Sequence, residues 1–185
     1  WRSLAKSTIS PGASGATVGV DGSGDEATKG AEEDALGAAL ACAEGMRLAT
    51  TSTRPEDRVA ARARLAEAIR ADPTMEEAYE TLAQVSEADG DRAGAIAAYS
   101  RGLEVDKGFA PFWLGRAILE MTEGFERTER GEDPEPSYSA AEADLARALE
   151  LHPGWIAARS RLGSLRSDWG KYRVDTGRDP RELYA

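Results

Sequence analysis

The chain has one histidine and one cysteine, His152 and Cys42, so nucleophilic or acid–base chemistry has few places to start. His152 stands in Leu151-His152-Pro153, at the end of a helical pattern. There an imidazole interacts with the negative end of a helix rather than with a substrate. Cys42 lies in an alanine-rich stretch with no second histidine to activate it, and reads as a small packing residue. Asp21, Ser23 and Asp25 with Glu32 have the spacing of a calcium loop, but Glu26 occupies the place of the sharp-turn glycine and no helix precedes it. Gly19, Gly22 and Gly24 follow no buried strand, which argues against a phosphate loop. Acidic pairs such as Glu32-Glu33 and Glu76-Glu77 suit solvated faces or helix N-termini, and nothing sets two carboxylates around a substrate. The expectation is a chain with no catalytic residue, no metal site and no cofactor.

Composition narrows the classes further. Of 185 residues, 41% are hydrophobic but only 6% aromatic, with alanine supplying much of the apolar count. That suits close-packed helices better than a sandwich of β-branched and aromatic strands. The formal net charge of −10 opposes binding to nucleic-acid phosphates and to anionic membranes. No apolar run is long enough to span a bilayer. A lone cysteine permits no internal disulfide and agrees with a reducing, cytoplasmic setting. The chain begins without Met and reaches Ala185 in what reads as the opening of a helix, so a fragment of a longer polypeptide is expected.

Three segments end alike: Leu65 to Pro73, Tyr99 to Lys107 and Leu145 to Pro153. A fixed-period repeat is architectural evidence, because each unit buries its apolar face only by stacking on its neighbours. The stretch 1–30 reads as a flexible Gly- and Ser-rich linker, with Trp1 and Leu4 as its only large apolar residues besides Ile9 and the valines. Residues 31–185 read as helical units over 30–75, 76–109, 110–155 and 156–185. Gly131-Glu132-Asp133-Pro134 followed by Tyr138 recurs 46 residues later as Gly177-Arg178-Asp179-Pro180 followed by Tyr184. Unit 110–155 thus reads as a 34-residue repeat with a twelve-residue insertion between its helices. Unit 30–75 has the same length, with Leu36-Gly37 as its close-packing pair.

The middle unit, Glu76 to Phe109, carries Tyr79, Leu82, Ala83, Ala95 and Tyr99 at the fourth, seventh, eighth, twentieth and twenty-fourth positions. With Gly90-Asp91 at the turn, it resembles a tetratricopeptide repeat. It departs from that pattern at Ser86, Gly102 and Lys107, and the neighbouring units depart at Arg116 and Arg159. The resemblance implies an all-α solenoid of helix-turn-helix repeats, about four units with the last truncated. It also implies a protein- or peptide-binding scaffold whose groove is lined by the first helix of each unit. The residues so placed are Glu77, Glu80, Gln84 and Glu87, then Leu114, Ile118 and Met121, then Ser160 and Ser164. Leu114, Ile118 and Met121 share one helical face, which either anchors an apolar peptide or packs on a neighbouring helix.

Two alternatives accompany the binding-scaffold expectation. The run from Gly131 to Pro153 resembles repeat regions attached to bacterial serine/threonine protein kinases, which implies a regulatory or substrate-recruiting arm that is itself inactive. An uncapped apolar face at the C-terminal end would instead support self-association.

Overall fold

The computed structural model describes residues 23–51 and 54–184. Trp1, Leu4 and the rest of 1–22 lie outside the described residues. Seven α-helices and no strand are present among those described: α1 (Ser23–Thr51), α2 (Pro55–Ala71), α3 (Glu76–Ala88), α4 (Arg92–Val105), α5 (Ala110–Glu129), α6 (Glu135–Leu151) and α7 (Ile156–Asp175), followed by a 3-10 turn at Pro180–Tyr184. Each helix packs on the next in sequence, and α1 also meets α3 while α5 meets α7. None of these helices is long and apolar enough to cross a membrane.

Two kinds of turn alternate along the chain. After α3, α5 and α7 the chain reverses through Gly90, Gly131 and Gly177, each with φ near +70°. In all three the glycine N–H donates three residues back, to Glu87, Thr128 and Val174. The following N–H donates five residues back, to Ser86, Arg127 and Arg173. This double closure satisfies the last carbonyls of the helix and needs a left-handed residue at its centre, which glycine adopts without a Cβ penalty. After α2, α4 and α6 the N–H of Asp72, Asp106 and His152 donates to a carbonyl four residues back, at Ala68, Gly102 and Ala148. Asp72 and Asp106 also accept a backbone N–H two residues on, from Thr74 and Gly108.

The Gly-x-Asp-Pro motif has its physical meaning in the first kind of turn. Glycine closes the preceding helix, and the aspartate accepts a backbone N–H two residues on, at the start of the next element. Asp133 Oδ1 accepts from the N–H of Glu135 at 3.1 Å, and Asp179 Oδ1 from that of Arg181 at 2.9 Å. Arg127 and Arg173 donate to the backbone carbonyls of Asp133 and Asp179. The twelve extra residues form no separate excursion. They lengthen the first helix to 20 residues from the 13 of α3, the second to 17 from the 14 of α4, and the turn by two.

Packing depends on small residues where helices approach. Ala61, Ala83, Ala95, Ala117, Ala141 and Ala158 are fully buried, and Leu65, Phe112, Leu145 and Leu165 fill the spaces between them. One cluster joins α1 to α5 and the other joins α5 to α7, with Trp113 of α5 packed on both. Gly102, where the repeat pattern favours alanine, lies under the ring of Phe112 with no room for a methyl group.

The N-terminal unit differs from its sequence reading. Helix α1 begins at Ser23, so residues 23–30 belong to a helix and not to the linker; once packed turns nucleate a helix, adding residues to it is cheap. Leu36 is 61% exposed and Gly37 faces open space. The close approach falls instead at Ala38, Ala41, Cys42 and Gly45, where a Cβ on Gly45 would meet Leu65 Cγ at 2.7 Å. An alanine-rich helix offers several stripes of small residues, and packing against α2 selects one of them.

Arg116 occupies a position where a leucine was expected, and the structure gives a reason. Its guanidinium bridges helices: Nε and Nη2 donate to both carboxylate oxygens of Asp144 on α6 at 2.6 and 2.8 Å, and Nη1 donates to Ser100 Oγ on α4 at 3.0 Å. It also stacks on Trp113, 5.2 Å from the ring centre.

Two stability predictions follow from this packing. Gly102→Ala should lose about 1–3 kcal/mol in urea unfolding despite its better helix propensity, because the new methyl overpacks the buried Phe112 ring. Asp144→Ala should cost about 3 kcal/mol by stranding Arg116, and Arg116→Leu in the same chain should restore most of the loss.

Candidate functional site

Helix α5 contacts α7, and residues of α3 and α5 share the lining of a cavity. Two cavities lie along these helices. The first encloses 170 Å³ between α3 and α5, lined by Glu87, Gly90, Arg92, Ile118, Leu119 and Thr122. The second encloses 420 Å³ between α5, the start of α6 and α7.

The expected groove residues divide into three groups. Glu87 and Ile118, chosen from different units, line one cavity. Glu77, Gln84, Ser160 and Ser164 are exposed on α3 and α7, and Glu80 is half-buried. Leu114 and Met121 are half-buried and pack against the cluster formed with α6 and α7. Their shared face is thus used inside the fold, whereas Ile118, on the same helix, opens toward α3.

The extension of α5 and α7 beyond the length of α3 adds residues that the repeat positions do not include. Phe125 and Thr128 continue the α5 face by two turns, and Lys171, Tyr172 and Asp175 continue that of α7. The signal available in the sequence was periodicity: Phe125 falls seven residues after Ile118.

The α3 side is acidic, with Glu80 and Glu87 close to Tyr99. Burial raises the Glu87 carboxyl above its ordinary range. It also pushes Tyr99 up to about 12, with Glu87 and Glu80 adding to the shift. The Tyr99 ring lies against Gly115, whose missing Cβ makes room for it.

Glu120 lies behind the face, toward Arg116 and Asp144, and lines neither cavity. Its Oε2 is buried with no hydrogen-bond partner. Burial first, then the negative charge of Asp144, pushes its carboxyl up to about 7, and Arg116 only partly opposes this. Cys42 is buried near Met46 in the first cluster, with burial raising its thiol. His152 is exposed at the end of α6, edge-on to Trp155. Among the described residues no group of three or more His, Cys, Asp or Glu side chains is arranged to hold a metal ion.

Comparison with known proteins gives no family model that matches the chain and no match among curated proteins.

The Glu120 carboxyl sets a pH dependence. Its folded-state pKa, about 7, lies above its ordinary 4.5, so the folded chain holds the proton more tightly than the unfolded one. Stability from this group is complete below about pH 4.5 and is lost as pH rises through about 7. Glu120→Gln should therefore stabilise the protein by about 2 kcal/mol in urea titrations at alkaline pH, discounted for partial exposure, and the gain should vanish in acid.

Proposed function

We propose that this chain is a protein- or peptide-binding scaffold, a right-handed solenoid of tetratricopeptide-like repeats whose first helices form the binding face. The observation that carries the reading is the cavity between α3 and α5. Glu87 and Ile118, expected from repeat positions in two different units, meet there across a gap of 170 Å³. The alternation of two turn types supports the repeat assignment, since each pair of helices is closed by one and linked to the next by the other. A stacked array of this kind holds its groove open without a bound partner, because the helices that line it are fixed by their neighbours. A peptide lying across α3, α5 and α7 meets a preformed surface and loses less conformational freedom than one that must order a loop.

The test is a substitution that removes the surface and keeps the core. Ile118→Asp places a charge in the cavity between α3 and α5 at a half-buried position. Peptides selected on the native chain should bind this variant about tenfold more weakly, with helix content by circular dichroism unchanged. Equal binding by the two chains would overturn this reading.

A further inference from the structure

The larger cavity, between α5 and α7, contains side chains that the fold leaves unused. It encloses 420 Å³ and is lined in part by Phe125 and Thr128 of α5, Tyr138 at the start of α6, and Asp168, Lys171 and Asp175 of α7. Many carboxylates between the other helices are neutralised. Asp89 pairs with Arg58 and Arg62, Glu126 with Arg92, Asp144 with Arg116, Glu142 with Arg166, and Glu135 with Arg173 and Arg178. Asp168 and Asp175 make no ion pair among the described residues, although Lys171 is one turn from each on the same helix. Asp168 is close enough to raise the Tyr138 hydroxyl, after the larger effect of burial. Phe125 is 52% exposed and stacks on no ring or cation among the described residues.

An uncovered phenyl ring beside two uncompensated carboxylates is a receptor for a cation on an apolar stem. The ring face supplies a negative quadrupole and the carboxylates accept hydrogen bonds. A guanidinium uses both, because it is planar, stacks, and donates in a fork. The same chemistry operates next to the cavity, where Arg178 lies 5.7 Å from the centre of the Tyr172 ring and Arg173 lies 5.9 Å from that of Trp169.

We propose that this cavity receives an arginine side chain of a partner peptide lying along α5 and α7. The proposal rests on the peptide-binding reading above and names its partner class. A basic segment is also favoured by the charge of the whole chain, −10, and by Glu77, Glu80 and Glu87 on α3. Lys171 lines the same cavity, and its positive charge opposes an incoming guanidinium.

Fluorescence anisotropy with the full 185-residue chain tests the assignment. The probes are four sets of short labelled peptides, each a random mixture of apolar and small residues around one fixed arginine, lysine, glutamine or glutamate. The arginine set should bind best. Phe125→Ala, and Asp168→Asn with Asp175→Asn, should each weaken it roughly fivefold, and Lys171→Gln should strengthen it. Glu32→Gln with Glu33→Gln, the same charge change on the exposed start of α1, should leave it unaltered. Two results would overturn the assignment: no preference for arginine over glutamine, or equal weakening by the α1 pair, which would assign the binding to net charge. If all four sets bind alike and Ile118→Asp abolishes that binding, the arginine site fails while the peptide-binding face stands. If no set binds, both fall.

Discussion

The structure depends on how closely consecutive helices approach. Ala61 on α2, Ala83 on α3, Ala95 on α4 and Ala117 on α5 have no exposed surface. A larger side chain at any of these points would separate the axes and open gaps that the neighbouring leucines do not reach. Alanine contributes little buried area by itself, so the apolar driving force comes from the few large groups that close contact brings together. Phe112 illustrates this, lying against Gly102 while meeting Tyr79, Tyr99 and Phe109 at ring distances of 4.5–6.2 Å. An aromatic content of 6% suffices because one ring serves several helices.

Close contact between consecutive helices also depends on turns that return the chain over short connections. The turns at Gly90, Gly131 and Gly177 share one set of backbone hydrogen bonds, and those at Asp72, Asp106 and His152 share another. Helices α5 and α7 are each 20 residues long, against the 13 of α3. The cavity between α5 and α7 is lined by the exposed Phe125 and the buried Tyr138, with Lys171, Tyr172 and Asp175 from the far end of α7. Gly124 belongs to the same arrangement, since the Tyr138 ring occupies the space a Cβ would need.

Ionic groups join helices where apolar area is scarce. The Arg116–Asp144 pair ties α5 to α6, Arg92–Glu126 ties α4 to α5, and Arg173–Glu135 ties α7 to α6. Charged partners placed this way favour one register over another, because a helix shifted by a turn strands each of them. Glu120 is the exception. It shares the neighbourhood of Asp144 without a hydrogen-bond donor for its buried oxygen, and its raised pKa reflects that mismatch.

The helical class and the turn at Gly90-Asp91 were legible in the sequence, whereas the twelve residues expected between the helices of unit 110–155 instead lengthen α5 and α6. The legible features follow from local chemistry: glycine where the backbone turns left-handed, aspartate where a helix needs a cap, and small residues at helical spacing. The repeat positions Tyr79, Ala83, Ala95 and Tyr99 are buried for the same reason. Tertiary structure decided what periodicity leaves degenerate. In α1 several stripes of small residues compete, and only contact with Leu65 selects Gly45 over Gly37. On α5 one face carries Leu114, Ile118 and Met121, and only the presence of α7 decides that Leu114 and Met121 turn inward while Ile118 opens on a cavity. Which residues of a helix face solvent is settled by the neighbours that cover it, and a single helical pattern does not contain its neighbours.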